Sequence, residues 1–365
     1  GQLCCDGPQG VLTLALRREL RERKEEILTF LHAAAASWDS SEPLQPISRA
    51  EALSLSFAQQ RLWLLGQWEP GGWVYNIPAA FRLRGALNVT ALECSVNEMV
   101  RRHETLRTSF NAVDGDPVQV IAPALTLKLS VVDLSDLSDS EEREATVKRL
   151  AREEAQRPFD LVEGPLLRVT LLRLEEQEHV LLLTLHHIVS DGWSLGVLFR
   201  ELAILYEAYC AGKSSTLSEL PIEYADFAVW QRQWLQGEVL DSQLSYWKGQ
   251  LGSGVPTLEL PMDRPRTPVE TFHGAQQTLV LPRDLSERLK ELSRREQVTL
   301  FMTLLAAFKV LLHRYSGQDD IVVGSPIAGR NRAEIEGLIG FFVNTLVLRT
   351  ELSGDPTFRE LLGRV

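Results

Sequence analysis

Cysteine is scarce in this chain, and its few positions do not form a metal-binding pattern. Cys4 and Cys5 are adjacent, whereas Cys94 and Cys210 stand alone. Structural zinc sites instead draw cysteines and histidines from closely spaced pairs. We therefore expect reduced thiols and no metal site, and reduced thiols favour a cytoplasmic location.

Long apolar runs are also lacking. The longest one, near residues 304–312, is interrupted by Lys309 and follows a helical pattern, whereas a helix needs about 20 apolar residues to cross a bilayer. The N-terminus lacks the basic and then apolar segments of a signal peptide. The sequence therefore predicts neither a membrane partner nor export.

Positive charge is in deficit, since 38 lysines and arginines face 49 aspartates and glutamates, for a net charge of -11. No stripe of basic residues with interleaved aromatics is present that could follow a phosphate backbone, so nucleic acid is not expected as a partner. Hydrophobic residues make up 44% of the chain, which is ordinary for a folded protein. A length of 365 residues allows two domains or two lobes.

The N-terminal segment is expected to be a separate small unit. Apolar positions recur with helical spacing from Leu12 to Ala36 beside a charged stripe, which predicts an amphipathic helix. A linker rich in serine and proline follows. We place this unit at residues 1–36 and the linker at 37–52.

Helical and strand-like patterns alternate beyond the linker, which predicts an α/β fold in layers. A loop at residues 214–221 divides the series into two comparable lobes, residues 53–215 and 216–365. Strands are expected in the second lobe at residues 275–281, 320–326 and 343–350. The last helical pattern, at residues 357–365, runs to the final residue, so we expect the second lobe to be incomplete.

The most informative pattern is His186-His187, three residues, then Asp191-Gly192. It follows the apolar run of residues 180–185, which predicts a buried strand that carries two imidazoles at its end. Successive side chains of a strand point to opposite faces, so we expect one histidine to serve chemistry and the other to pack. Two structural histidines are the alternative.

At these residues the chain resembles the condensation domains of nonribosomal peptide synthetases, which carry the motif His-His-x-x-x-Asp-Gly. Four further segments resemble family motifs and occur in the family's order. They are SFAQQRLW at 56–63, RHETLRT at 102–108, YADFAVW at 224–230 and IGFFVNT at 339–345. Two later family motifs, His-Gln-Asp-x-Pro-Phe-Glu and Arg-Asp-x-Ser-Arg-Asn-Pro-Leu, are absent.

The resemblance implies a fold similar to chloramphenicol acetyltransferase, with two lobes in a V and a tunnel at their junction. It implies that donor and acceptor carrier proteins each insert a phosphopantetheine arm, so that the chain itself binds no cofactor. The implied reaction is attack of an acceptor amine on a donor acyl or peptidyl thioester.

Site residues follow from the same resemblance. His187 corresponds to the active-site histidine and either deprotonates or positions the amine, and His186 beside it is placed with the catalytic residues. Gly192 donates its N–H to the reacting groups, or is required only by turn geometry. Asn344 either contacts substrate or ends a strand.

The next residues of the motif are given structural and binding roles. The resemblance implies that Asp191 forms a structural ion pair with Arg61 rather than acting as a catalytic acid. Trp193 and Ser194 follow the condensation-type order after Gly192 and are expected to bind substrate.

The N-terminal unit, with LRERKEEIL from Leu20, resembles part of a tubulysin-type docking domain. That resemblance implies binding to the C-terminal tail of an upstream synthetase. An ordinary amphipathic linker helix is the alternative.

Other functions on the same fold remain open. Epimerisation domains share both histidines but differ after the glycine, and free-standing coenzyme A acyltransferases share only His-x-x-x-Asp. Heterocyclisation domains replace the histidines with aspartates, and are disfavoured. A non-catalytic recruiting domain with an impaired site is the alternative that is not an enzyme.

Overall fold

A computed structural model describes residues 43–68, 71–137, 139–252, 254–265 and 274–365, together with Arg18 and Lys24. The chain divides into two units, residues 1–45 and 46–365, and the elements below all belong to the second. The amphipathic helix expected from Leu12 to Ala36 lies outside the described ranges.

The first half of the second unit is built around a four-stranded sheet in the order β2-β7-β6-β5. These strands are β2 (Asn76–Arg84), β5 (Ser130–Asp133), β6 (Leu167–Glu175) and β7 (Glu178–His186). β7 pairs antiparallel with β2 and with β6, and β5 pairs parallel with β6. β7 is therefore an inner strand, as its unbroken apolar pattern indicates.

Helices cover both faces of this sheet. One face packs on α2 (Val89–Arg102) and α4 (Gly192–Cys210) through a cluster that includes Leu181, Leu183 and Leu185. The other packs on α3 (Ser140–Gln156) through a cluster that includes Val180 and Leu182. Alternate side chains of β7 thus enter two different cores, which fixes the register in which the strand ends at His186.

A smaller sheet in the order β1-β4-β3 completes this half. Its strands are β1 (Leu53–Ser54), β3 (Thr108–Val113) and β4 (Asp116–Ile121). Helix α1 (Phe57–Trp68) follows β1, and a 3-10 turn at Glu104–Arg107 precedes β3. β3 and β4 form a hairpin about Asp114-Gly115, since Val113 pairs with Asp116. Asn88 caps α2 by accepting the Ala91 N–H at 3.0 Å.

The second half contains mainly helices in its described residues. They are α5 (Tyr224–Trp234), α6 (Gly237–Leu251), α7 (Arg283–Arg295), α8 (Leu300–Ser316), α9 (Ala333–Glu336) and α10 (Phe358–Arg364). Strands β8 (Asp320–Ile327) and β9 (Asn344–Glu351) pair antiparallel. A core that includes Ala306, Ile321 and Leu361 joins α8, β8 and α10.

The prediction of a strand at residues 275–281 is wrong. The structure gives these residues no regular element, and Leu279 and Val280 are more than 80% exposed. A strand needs a neighbouring strand to accept its backbone hydrogen bonds, and none pairs with this segment among the described residues. The short apolar run at residues 279–281 was therefore an insufficient signal.

Candidate active site

The end of β7 separates the two histidines. His186 is the last residue of the strand, and His187 begins a 3-10 turn that extends to Val189. The backbone N–H of His187 donates to the carbonyl of Tyr75 at 2.8 Å. The chain therefore leaves the sheet between the two rings, which places them in different surroundings.

The ring of His187 is held in one orientation by a backbone carbonyl. Its Nδ1 lies 2.8 Å from the oxygen of Ser190, and its ring centroid is 4.6 Å from that of Phe341. A carbonyl oxygen can only accept, so Nδ1 carries the proton and the neutral ring has its lone pair on Nε2. This is the tautomer that a general base needs.

His186 has the opposite arrangement. Its Nδ1 accepts the backbone N–H of Ile188 at 3.1 Å, so the proton of the neutral ring is on Nε2. The side chain is 7% exposed. Burial, helped by the nearby His187, lowers the pKa of His186 to about 4. His186 is therefore a neutral hydrogen-bond donor, and this geometry does not suit a base at Nδ1.

Asp191 is buried and holds the start of α4. Its Oδ1 accepts the N–H and the hydroxyl of Ser194 at 2.8 and 2.7 Å, and its Oδ2 accepts the N–H of Phe342 at 3.0 Å. The first of these bonds is an N-cap. The carboxylate thus ties the histidine motif to the segment that precedes β9.

The prediction that Asp191 forms an ion pair with Arg61 is wrong. The partner is Arg330, whose guanidinium lies 3.4 Å from Asp191 Oδ1, and both side chains are 0% exposed. Arg61 is exposed and lies 5.9 Å from the centroid of Phe341. Burial lowers the pKa of Arg330, and Asp191 opposes that shift. The predicted structural role of Asp191 agrees with this geometry, but the residue that supports it comes from the second half of the chain.

Ser194 belongs to the same buried network. Its hydroxyl oxygen accepts from Arg330 at 2.8 Å and from the N–H of Gly340 at 3.0 Å, and its proton is shared between Asp191 and the Gly340 carbonyl. Because the side chain is fully buried and its hydrogen-bonding capacity is used, the predicted contact of Ser194 with substrate does not fit the structure.

Gly192 and Trp193 form the exposed edge of the motif. Gly192 is the first residue of α4, so its N–H has no acceptor within the helix. A Cβ on Gly192 would meet no atom within 4 Å, and its φ is not positive, so neither packing nor turn geometry requires glycine there. Trp193 is 47% exposed and donates its indole N–H to the carbonyl of Glu336 at 3.0 Å. Both line an open cavity of about 600 Å³.

Asn344 is the first residue of β9 and is exposed. It lies two residues after Phe342, whose N–H binds Asp191, and its Cα is paired with that of Ile327. Its contact with substrate stays a prediction.

Tyr224 and Gly340 fix the segment that carries Phe341. The hydroxyl of Tyr224 donates to the Phe341 carbonyl at 2.5 Å and is 2.8 Å from the Ser56 hydroxyl. A Cβ on Gly340 would lie 1.9 Å from the ring of Tyr224. Gly340 is therefore required for close approach. The motif at 339–345 marks this segment in the sequence but not its contact with Tyr224, and nothing local marks Arg330.

Replacing Gly340 with alanine is expected to lower the melting temperature by several degrees, because the added methyl must displace the buried Tyr224 ring at a cost of about 1 to 3 kcal/mol or more. Gly337→Ala is the matched control, since a Cβ there meets nothing within 4 Å. Thermal unfolding followed by circular dichroism measures both variants. Equal melting temperatures would contradict the steric argument.

The described residues contain neither a metal-binding cluster nor a single helix that could span a membrane. No group of three histidine, cysteine, aspartate or glutamate side chains that could hold a metal ion occurs among the described residues. None of the described helices is by itself long and apolar enough to span a membrane, although α7 and α8, bent by 105°, pass together by length and composition.

Comparison with known proteins identifies the family of the chain. The family model described as "Condensation domain" matches residues 49–365. The chain belongs to the condensation-domain family. A second model, the TubC N-terminal docking domain, matches residues 1–33, so both parts of the expected family assignment are confirmed.

Individual relatives agree with this assignment. One of the linear gramicidin synthase proteins of Brevibacillus parabrevis is 56% identical over 326 residues, which cover 89% of this chain and 4% of that protein. The chain therefore spans only a small part of this relative.

Two solved structures share the fold of the condensation domain. The X-domain in its complex with OxyB from teicoplanin biosynthesis has a TM-score of 0.79 and 31% identity, covering 89% of this chain and 71% of that one. A structure that concerns condensation domain-mediated chain release from the enacyloxin polyketide synthase has a TM-score of 0.70 and 27% identity. The match covers 98% of this chain and 69% of that one. These likenesses confirm a mixed α/β fold.

Proposed function

We propose that residues 49–365 join a donor acyl or peptidyl thioester to the amine of an acceptor aminoacyl thioester. A carbon–nitrogen bond forms and the carbon–sulfur bond of the donor breaks, which gives an amide and a free thiol. The observation that carries the proposal is the orientation of His187, whose Nδ1 is bound to the Ser190 carbonyl so that Nε2 is the basic atom.

His187 moves the proton in this scheme. An α-ammonium has a reference pKa of about 8, so much of the acceptor must lose a proton before it can attack near neutral pH. Nε2 of His187 takes that proton and returns it to the departing sulfur, which restores the neutral ring. A role that only positions the amine uses the same nitrogen as a hydrogen-bond acceptor and transfers no proton.

Gly192 supplies a donor for the charge that develops on the donor carbonyl. The attack passes through a tetrahedral oxyanion, which is stabilised by fixed N–H groups. The free N–H of Gly192 at the positive end of α4, with open space where a Cβ would lie, supports this role. Trp193, Asn344 and the cavity beside Gly192 are proposed to contact the substrates.

The partners follow from family membership. Two carrier proteins present the substrates on phosphopantetheine arms, which belong to the carriers, and the arms meet at His187 between two lobes arranged in a V. We place the lobes at residues 53–215 and 216–365. Residues 1–36 are proposed to dock an upstream synthetase tail, after which residues 37–52 form a linker, in a cytoplasmic assembly.

A non-catalytic recruiting role is the second candidate. Its support is the likeness to the X-domain, which was solved in complex with OxyB. Under this alternative the chain would bind a partner enzyme and leave both thioesters unchanged. Epimerisation of the donor is a third outcome on the same fold.

Product analysis tests the proposal. The 365-residue chain is incubated with a donor carrier loaded with an acyl thioester and an acceptor carrier loaded with an aminoacyl thioester. We expect mass spectrometry to find the amide on the acceptor carrier, and none when the acceptor amine is acetylated. Product no greater than the enzyme-free background, or inversion of the donor without transfer, would contradict condensation.

A further inference from the structure

A second cavity, of about 430 Å³, lies beside the end of α1 and is distinct from the opening at Gly192. Its volume lies within the usual range for small-molecule sites. The walls are mainly apolar and aromatic, and include Leu65, Val74, Tyr75, Phe159 and Val162, with His186 among them. The proposed reaction at His187 assigns no role to this cavity.

His186 is the feature that suggests a ligand. Its side chain is 7% exposed, and its Nδ1 is occupied by the N–H of Ile188. The opposite ring nitrogen, Nε2, therefore carries the proton, and the structure gives it no hydrogen-bond partner among the described residues. Nε2 is not among the buried side-chain atoms that lack a partner, so it is accessible from the cavity, where an acceptor atom of a ligand can replace water as its partner.

The charge of the described wall residues disfavours anions. None of them is a lysine or an arginine, and the one charged residue among them is Asp160. The carboxylate of Asp160 is used locally, since Oδ1 accepts the N–H groups of Val162 at 2.8 Å and Glu163 at 3.1 Å. Moving an ionised carboxylate from water into such a cavity would be unfavourable without a cationic partner.

A backbone hydrogen bond connects the wall of the cavity to the reaction site. Tyr75, which forms part of its wall, accepts the backbone N–H of His187 through its carbonyl. The ring of Tyr75 also lies edge-on to His186, with centroids 6.3 Å apart. A ligand in this cavity would therefore contact the same short segments that hold His187.

We propose that this cavity binds an uncharged, mainly apolar group that carries an oxygen acceptor, with the Nε2–H of His186 donating to that oxygen. The group is either the side chain or acyl end of a thioester substrate, which rests on the proposed condensation activity, or a separate small molecule of the same chemistry.

Direct binding of a matched pair of probes tests the site without turnover. N-acetyl-leucine amide is titrated against the full chain, and the imidazole NMR signals of His186 are followed. We expect saturable binding that shifts the His186 Nε2 signal. The corresponding free acid, N-acetyl-leucine, should bind at least about tenfold more weakly, because its carboxylate finds no cation. Equal or tighter binding of the acid, or no binding of the amide, would overturn the proposal.

A cavity-filling variant provides the structural control. Val162 lines the cavity and is 45% exposed, whereas Val131 on β5 is 48% exposed and does not line it. Val162→Trp should abolish binding of the amide and Val131→Trp should leave it unchanged, provided that both variants keep the wild-type circular dichroism spectrum. Val74→Trp is the second filling variant. Unchanged binding in both filling variants would contradict the assignment.

The source of the ligand is decided in the condensation assay. If the cavity holds part of the substrate, Val162→Trp raises the KM of a leucyl acceptor or donor but not of the glycyl equivalent, and free N-acetyl-leucine amide competes with the leucyl substrate. If the ligand is a separate molecule, neither KM depends on side-chain size. Since probe binding requires no amide product, it can fail or succeed independently of the proposed reaction.

Discussion

The variant Asp191→Ala is expected to lower the free energy of unfolding by about 3 to 5 kcal/mol, because it leaves the buried guanidinium of Arg330 without its carboxylate. The change also removes the N-cap of α4, which accounts for about 1 kcal/mol of that range. Urea unfolding followed by circular dichroism measures the difference.

Two arginine variants identify the partner of Asp191. Arg330→Met should destabilise strongly, since it removes hydrogen bonds to Asp191, Ser194 and the Leu338 carbonyl. Arg61→Ala should change the free energy of unfolding by no more than about 0.5 kcal/mol, because Arg61 is exposed. In combination with Asp191→Ala, the cost of Arg330→Met should be less than additive. A large effect of Arg61→Ala with additive costs at Arg330 would restore the pairing that the family resemblance implied.

The variant Asp191→Ala also distinguishes a structural role of Asp191 from a catalytic one. A destabilised Asp191→Ala protein that keeps part of its turnover would agree with a residue that positions the turn. An unchanged melting profile with turnover lost would place Asp191 among the catalytic residues instead.

Local patterns predicted the elements that carry the site. The apolar run at 180–185 indicated a strand buried on both faces, and the structure shows two cores that receive its alternate side chains. The prediction of different roles for His186 and His187 assumed that both residues belong to the strand, whereas His187 begins the 3-10 turn that follows it. The two rings have opposite tautomers, and their roles stay a prediction. The two faces of the strand depend on residues within one or two turns of chain, so sequence periodicity contains them.

Contacts between distant segments were not predictable in the same way. Asp191 and Arg330 are 139 positions apart, and no local pattern distinguishes Arg330 from the other arginines of the chain. The fit of Gly340 against Tyr224 likewise depends on the packing of α5. The resemblance supplied Arg61 for this role, which shows that a motif identifies a residue type more reliably than its partner.

His187→Ala is expected to have the largest effect on turnover. If Nε2 transfers a proton, the single-turnover rate of amide formation should fall by about 10²- to 10⁴-fold, and by less if the ring only positions the amine. An acceptor with a weakly basic amine, such as an aminooxy acid, needs little deprotonation before attack. With this acceptor, the rate loss caused by His187→Ala should be much smaller if Nε2 transfers a proton, and unchanged if the ring only positions the amine.

His313→Ala is the matched control for that variant. The Nδ1 of His313 also lies close to a backbone carbonyl, that of Gln318 at 2.9 Å, but the residue is on α8, outside the proposed site. His313→Ala removes a similar ring and a similar hydrogen bond at a place away from the proposed site. We expect its rate to equal that of the wild type.

The most direct test of the account is the single-turnover rate of amide formation between loaded donor and acceptor carriers, compared among the wild type, His187→Ala and His313→Ala at matched folded fractions. The account predicts product with the wild type and His313→Ala, and a loss of about two decades or more with His187→Ala alone. Equal rates for wild type and His187→Ala would contradict it.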